Sequence, residues 1–117
     1  MERQVKVWGE RYLLRKDSTH ATSYLELVKG YRCSWHRHQQ KYNLFFVIRG
    51  HVGVIVEEID GNIREVMLRN HDSLMVPPGC WHEFRVYEDS EMIEEMYTEY
   101  SENDIERERK GGGISCN

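Results

Sequence analysis

The sequence predicts an all-β fold of the sandwich or barrel class, formed by a single domain. Short runs rich in Val, Ile, Tyr, Phe and Thr recur along the chain and are separated by turn signals of Gly, Pro, Asn and Asp. The 117 residues suffice for one modest hydrophobic core, and no internal repeat indicates a second domain. We therefore expect one domain over 1–117, with a barrel core at about 20–100 and a charged, flexible tail at about 101–117.

The first quarter of the chain predicts three strands. Residues 5–9 and 11–14 are short strand candidates, and residues 22–28 are rich in side chains that favour extended backbone. Gly30 supplies the turn signal that ends the third candidate.

The middle of the chain predicts a buried hairpin. Residues 43–49 form a near-continuous apolar run, which indicates a strand that is buried on both faces. Gly50 closes this run and residues 51–57 open another strand, so we expect a hairpin at Gly50. Within the second strand, the face that carries Val52 and Val54 is expected to join the core.

The remaining candidates are also strands. An Asp-Gly step near Gly61 precedes Ile63–Leu68, whose side chains alternate between apolar and polar. The pattern at 91–100 fits a strand or a helix, and its Tyr, Thr and Ile content favours a strand. Two further short strands are predicted at residues 74–76 and 82–87.

Charge and hydropathy exclude two classes of partner. The formal net charge of −4 argues against general affinity for nucleic acid, which needs a basic surface. No apolar run approaches the ~18 residues of a membrane span. Residues 1–5 lack the apolar core of a signal peptide, so we expect a cytoplasmic protein.

The three cysteines, Cys33, Cys80 and Cys116, do not suggest a disulfide framework, because their number is odd. Cys33 lies three residues before His36, so on a strand the two side chains face opposite ways. We interpret Cys33 and Cys80 as small buried residues, with a thiolate ligand or redox group as the alternative.

Three histidines are placed where they could converge on a metal ion. His36 and His38 are two residues apart, so on a strand both imidazoles point to the same face. His82 follows a Pro-Pro-Gly turn that can direct a new strand towards that face. Three neutral imidazoles suit a divalent transition metal such as Zn, Fe, Mn or Ni.

The spacing of these histidines resembles the two cupin motifs. The first motif matches at every anchor from Gly30 to Gly50, except that the usual Glu is Asn43. The second departs from the usual pattern at His71, where Gly is common, and at Val86, where Asn is common. The resemblance implies a cupin-type double-stranded β-helix, that is, a jelly-roll barrel. The second motif is met by Pro77, Gly79 and His82.

Among cupins, residues of about 5–107 look most like the cupin domain of type II mannose-6-phosphate isomerases. The similarity lies in Trp8-Gly9, in residues 24–27 and in residues 102–107, besides the first motif. It implies a sugar or sugar-phosphate isomerase, a small-molecule ligand and a homodimer. The isomerase motif Gln-x-His-x-x-Arg-x-Glu is occupied here by His36, His38, Lys41 and Asn43.

Asn43 and Lys41 are the positions that matter most for chemistry. Asn43 can reach a metal only through a neutral amide oxygen or a water, which would leave the ion a stronger Lewis acid. Lys41 could act in catalysis by holding a phosphate or an enediolate oxygen, or it could simply be a solvated loop residue. No other carboxylate is evident on the inward faces of the predicted strands, which weakens the isomerase hypothesis.

Alternation along the strands also predicts the surroundings of the site. If Asn43 and His82 point inwards, then Phe45, Val47 and Phe84 do so too, as a substrate pocket wall or as plain core. Trp35 and Trp81 each precede a histidine, so we expect them to face away from the metal. They would then pack outside the barrel or at a dimer contact.

Three functions remain open from the sequence. The first is the metal-dependent isomerase, in which the metal polarises a carbonyl while a base moves a proton. The second is a three-histidine iron dioxygenase-like cupin with open positions on the metal. The third is a non-catalytic cupin that binds a sugar or small acid.

Overall fold

The computed structural model describes residues 2–98, and these form seven β-strands and no helix. None of the described residues therefore belongs to a helix that could cross a membrane. Charged residues 101–117, the predicted tail, lie outside this part of the chain. The strands are β1 (Glu2–Lys6), β2 (Gly9–Lys16), β3 (His20–Leu27), β4 (Tyr42–Glu57), β5 (Ile63–Leu68), β6 (Ser73–Val76) and β7 (His82–Tyr97).

Two long strands, β4 and β7, pair with each other along almost their whole length and build both walls of the barrel. The first wall contains β1, β2 and β3, then residues 91–97 of β7, residues 42–47 of β4, and β6 at the far edge. The second wall contains β5, residues 52–57 of β4 and residues 82–86 of β7. All these pairings are antiparallel, which confirms the predicted all-β class.

The predicted hairpin at Gly50 is wrong, because β4 continues through this residue without a turn. Gly50 has a φ of +122°, and the register with β7 shifts on either side of it. A Cβ atom at Gly50 would overlap the Ser90 side chain. The glycine thus marks a bend, at which β4 passes from one wall to the other.

The predicted break between residues 87 and 91 is also absent, since β7 runs unbroken from His82 to Tyr97. The preference for a strand over a helix is therefore confirmed up to Tyr97. Ser90 lies at the bend, where its hydroxyl accepts a hydrogen bond from the His51 N–H at 2.9 Å and donates one to the Glu88 carbonyl at 2.6 Å. These bonds replace ladder contacts that the bulge removes.

The strand predicted at residues 5–9 is interrupted, because its residues 7–8 form the turn of a hairpin. β1 ends at Lys6 and β2 begins at Gly9, so Val7 and Trp8 form the connection. Trp8 is only 6% exposed, and its ring meets that of Phe84 edge to face at 5.2 Å. The burial of this large ring holds the hairpin against the core, an effect that periodicity along a strand does not reveal.

The core lies between the inward faces of the two walls. Phe45 of the first wall and Phe84 of the second meet edge to face at 6.2 Å. The valine face of residues 52–56 is buried as predicted, with Val52 and Val54 fully enclosed. The other buried apolar side chains include Leu25, Leu27, Val47, Leu68, Val76, Val86 and Met92.

We expect Gly50→Ala to destabilise the protein more than Gly61→Ala. Both glycines have positive φ, so both variants incur backbone strain of about 1–3 kcal/mol. Only at Gly50 would the new methyl group also overlap a neighbour, since nothing lies within 4 Å of a Cβ at Gly61. The free energy of unfolding of Gly50→Ala should be lower than that of Gly61→Ala by about 1–3 kcal/mol, measured by denaturant titration. Equal losses in the two variants would contradict the steric role of the bend.

Candidate metal centre

The three sequence-predicted histidines lie together at one end of the barrel. Potential ligand atoms of His36, His38 and His82 all lie within 4.8 Å of one another. The ring centroids of His36 and His82 are 4.5 Å apart, and His38 lies 5.1 Å from the first and 5.8 Å from the second. Among residues 2–98 this is the group of histidine, cysteine and acidic side chains that is arranged to hold a metal ion.

Backbone hydrogen bonds position these side chains. His36 and His82 exchange two bonds, with the His36 N–H donating at 3.0 Å and the His82 N–H at 2.8 Å. The Gly79 N–H donates to the His38 carbonyl at 2.8 Å, so the Pro-Pro-Gly turn is tied to the same segment. Gly79 has a φ of +83°, which explains why glycine suits this turn.

Two of the imidazoles are oriented by backbone carbonyls. His82 Nδ1 lies 2.8 Å from the Cys80 carbonyl oxygen, and His36 Nδ1 lies 2.8 Å from that of Ser34. A carbonyl only accepts, so in each ring Nδ1 carries the hydrogen and Nε2 keeps its lone pair. This is the tautomer in which Nε2 can coordinate a metal.

Burial keeps two of the histidines, His38 and His82, neutral. His82 is 1% exposed, and burial lowers its pKa to about 4. Burial is likewise the main reason that the pKa of His38 is lowered, and the neighbouring His36 adds to the effect. Near neutral pH neither His38 nor His82 needs to lose a proton before it can bind a metal.

Asn43 supplies evidence that a cation fits this site. Its side chain is fully buried, and its Nδ2 donates to Glu94 Oε2 at 3.1 Å. The amide oxygen must then face His82 Nε2, 3.2 Å away. Since Nε2 carries a lone pair in the tautomer set by Cys80, two acceptors confront each other, and a bound cation would satisfy both. The amide oxygen of Asn43 can thus serve as a neutral fourth ligand beside the three imidazole nitrogens.

Glu94 is the residue that the sequence interpretation missed. Its side chain lies on the inward face of β7, is 5% exposed and accepts a hydrogen bond from Arg11 Nη2 at 2.6 Å. The expectation that no other carboxylate faces inwards was therefore wrong. Alternation from His82 along one continuous strand places residue 94 on the inward face, but the predicted break in the strand concealed this relation.

The other predicted site residues, Phe45, Phe84, Val47 and Lys41, lie near the histidines. Phe45 and Phe84 are buried, and the Phe45 ring lies 6.1 Å from that of His82, so an apolar wall borders the histidines. Val47 belongs to the same wall. Lys41 is exposed, and its positive charge contributes to the lowered pKa of His38, which places it near the site.

The two tryptophans contact each other. Trp35 and Trp81 stack with ring centroids 6.3 Å apart, and the Arg37 guanidinium lies 4.9 Å above the Trp81 ring. Trp35 is 37% exposed. This stack braces the two segments that carry His36, His38 and His82.

The structure gives Cys33 and Cys80 packing roles. Burial raises the pKa of Cys33 to about 11, and its sulfur accepts a hydrogen bond from the Phe84 N–H at 3.1 Å. Burial also raises the pKa of Cys80, whose thiol donates to the Glu57 carbonyl at 3.0 Å. Both sulfurs are therefore protonated near neutral pH, and neither belongs to the histidine group.

Comparison with known proteins agrees with this geometry. The cupin domain family model matches residues 23–93, more than half of the chain. The chain is a cupin. No curated protein sequence matches it significantly.

Solved structures share the cupin fold at low sequence identity. KdgF from Halomonas sp. is 18% identical, with a TM-score of 0.72 over 90% of this chain and 93% of that one. The Cnp3 cupin domain of Schizosaccharomyces pombe is 16% identical, with a TM-score of 0.72 over 97% and 77%. Bacillus subtilis oxalate decarboxylase, which has Mn(II) centres, is 18% identical, with a TM-score of 0.72 over 87% of this chain and 29% of its own. At these identities the likeness shows the fold alone.

We expect His36→Ala to weaken metal binding, because it removes one of three imidazole donors. His36 is only half-buried, so the fold should tolerate the change. The loss of affinity should exceed the roughly 10–100-fold that follows from losing an outer hydrogen-bond partner. Calorimetric titration with Zn²⁺ or Mn²⁺ measures it. His71→Asn is the control, since His71 lies outside the site and Asn tolerates its φ of +72°. Unchanged affinity in the His36 variant would contradict the ligand assignment.

The metal-free protein should lose stability as pH falls from about 6.5 to about 4. In this window the unfolded chain protonates His82, whereas the folded protein keeps it neutral. The unfolded state therefore binds more protons, and the free energy of unfolding falls by up to about 1.4 kcal/mol per pH unit for this group. In His82→Asn, whose amide can replace the Nδ1 hydrogen bond, the slope should be smaller. Denaturant titrations with a chelator present, at several pH values, test this.

Proposed function

We propose that this cupin is a metal-dependent isomerase acting on a sugar or sugar phosphate, like the type II mannose-6-phosphate isomerases. The observation that carries the proposal is the juxtaposition of three histidines with the buried carboxylate of Glu94, which Asn43 links to His82. Interconversion of an aldose and a ketose needs a group that polarises the carbonyl and a base that moves a proton between adjacent carbons. The two parts of the site match these two requirements.

The histidines and Asn43 would hold a divalent metal. When bound, such an ion would supply Lewis acidity to a carbonyl oxygen and its neighbouring hydroxyl. Imidazole and amide ligands carry no charge when they coordinate a metal, so these four residues would not offset the charge of the ion. Asn43 stands where cupins usually have a carboxylate ligand. A carboxylate is still close by, because Glu94 Oε2 accepts a hydrogen bond from the Asn43 amide.

Glu94 has the features of a base. The Arg11 guanidinium lies 2.6 Å from its Oε1 and pairs with the carboxylate, which is the form that can accept a proton. Asn43 occupies one lone pair of the other oxygen, Oε2. Each carboxylate oxygen has two acceptor sites, so Glu94 can take up a proton without releasing either partner. Its burial excludes the water that would compete for that proton.

Lys41 and the apolar wall suit the rest of such a substrate. Lys41 is exposed beside the histidines, where an ammonium group can bind a phosphate. Phe45 and Phe84 would form the apolar side of the pocket. We propose these three residues as substrate contacts.

One observation also favours the iron dioxygenase-like alternative, namely the neutral amide of Asn43 in place of the usual carboxylate. Metal analysis of the purified protein distinguishes the two functions. Zinc as the sole metal recovered would argue against dioxygenase chemistry, whereas oxygen uptake by the iron-loaded protein with thiol or diketone substrates would support it. Tight sugar binding without any product would instead indicate a non-catalytic cupin.

Glu94→Gln should reduce isomerase turnover by about 10²–10⁴-fold, the usual contribution of a general base. The amide cannot accept the substrate proton, and its single oxygen can accept from Asn43 only while its NH2 group faces Arg11. Metal content and circular dichroism are therefore measured beside turnover, to separate loss of the base from loss of the site. Glu95→Gln is the matched control, because Glu95 lies on the opposite face of the same strand. Turnover is followed on a panel of aldose and ketose phosphates. Absence of turnover across that panel in the metal-loaded wild type would overturn the proposal.

A further inference from the structure

A second cleft of this cupin lies apart from the histidines. Residues 30–32, residues 85–87 of β7 and the turn between β1 and β2 form it, and its volume is about 590 Å³. None of the candidate metal ligands lines it. We call it the arginine cleft, and its lining side chains are those of Val7, Tyr31, Arg32, Arg85, Val86 and Tyr87.

Two arginines of the arginine cleft are placed opposite each other. An isolated antiparallel bridge pairs Arg32 with Arg85. Residues paired in this way carry their side chains on the same face, where like charges repel. The Arg32 side chain has no ion pair or hydrogen bond with any of residues 2–98. An anion that accepts hydrogen bonds from both guanidinium groups would remove this repulsion.

Arg85 is held in place by a buried carboxylate. Its Nε donates to Glu83 Oε2 at 2.9 Å, and Glu83 is only 6% exposed. This bond leaves the two terminal Nη groups of Arg85 without a partner in the described part of the chain. A guanidinium that is already oriented loses little side-chain freedom when its Nη groups bind an anion.

The aromatic wall of the arginine cleft is also fixed. The Tyr87 hydroxyl donates to the Glu65 carboxylate. The Tyr87 ring lies over Gly53, where a Cβ atom would be only 2.7 Å from Cε2 of the ring. The missing side chain at Gly53 therefore makes room for this ring. Tyr31 and Val7, both exposed, add aromatic and apolar surface that a ligand can reach.

The arginine cleft suits a small organic anion. Among residues 2–98, no acidic side chain lines it. Glu83 and Glu65 lie next to it, but they are already bonded to Arg85 and to the Tyr87 hydroxyl. The cleft thus offers two guanidinium groups beside aromatic and apolar side chains, and its volume is within the range of small-molecule sites.

We propose that the arginine cleft binds a small phosphate monoester whose remaining part is aromatic. Such a phosphate carries a charge of about −1.5 to −2 near neutral pH, which matches the two guanidinium charges. Its three terminal oxygens can accept hydrogen bonds from both Arg32 and Arg85. The aromatic part packs against Tyr31 and Tyr87. The inference is independent of the proposed isomerase, because the isomerase site contains none of these residues.

Calorimetric titration of the full-length, metal-loaded protein with phenyl phosphate tests the proposal. Arg32→Gln and Arg85→Gln should each weaken binding by about 10–100-fold, the effect of losing hydrogen bonds to a charged group. In Arg85→Gln the amide nitrogen takes the place of Nε, so the bond to Glu83 can persist while both Nη groups are lost.

Arg49→Gln is the matched control for the loss of one positive charge. Arg49 is exposed and pairs with Glu91, away from the arginine cleft, so its variant should bind phenyl phosphate as the wild type does. Inorganic phosphate, which lacks the ring, should bind the wild type at least about 10-fold more weakly than phenyl phosphate, because it buries no apolar surface.

Three results would overturn the proposal: no binding of phenyl phosphate to the wild type, an affinity that both cleft variants retain, or an equal loss in Arg49→Gln. Phenyl phosphate held at the histidine site would give the second result. Equal affinities for inorganic phosphate and phenyl phosphate would overturn the aromatic part of the assignment. Circular dichroism shows that each variant is folded. Arg32→Gln removes an exposed side chain without partners, so it provides a readable variant even if Arg85→Gln fails to fold.

Discussion

The crossing of β4 and β7 at Gly50 and Ser90 is the contact on which the rest of this structure depends. Each long strand serves both walls, and each must bend where it passes from one wall to the other. The missing side chain at Gly50 makes room for Ser90, whose hydroxyl then bonds backbone groups near the bend. Because the bends fold the two walls over each other, Asn43 of the first wall reaches His82 of the second.

The site combines uncharged metal-ligand side chains with one charged group, the Glu94 carboxylate, which lies behind Asn43. Burial keeps His82 and His38 neutral, and backbone carbonyls fix the tautomers of His82 and His36. An isolated buried carboxylate would be costly, but Glu94 is stabilised by the Arg11 guanidinium and the Asn43 amide. The Glu94 carboxylate is thus separated from the candidate metal position by the Asn43 side chain and is not itself a ligand.

Much of the fold and of the candidate site could be predicted from the sequence, because both depend on motif spacing and on the alternation of side chains along strands. The fold class and the buried faces of Phe45 and Val52 obey a period of two along a strand. His36 and His38 instead lie between β3 and β4, outside any strand, and an isolated bridge pairs His36 with His82. The errors arose where a local signal had a different meaning in three dimensions. Gly50 has the composition of a turn but forms a bend, and the assumed break before residue 91 severed Glu94 from the alternation of His82. The burial of Trp8 depends on Phe84, which is distant in the sequence.

The two acceptor atoms that face each other, Asn43 Oδ1 and His82 Nε2, make the stability of the folded protein depend on a bound cation. Without a cation, their mutual repulsion is part of the folded state and absent from the unfolded chain. A ligand that binds only the folded form adds about 2.7 kcal/mol of stability when its free concentration is one hundred times its dissociation constant. Resistance to proteolysis, and with it the abundance of this cupin, should therefore follow the supply of a metal that binds at this site.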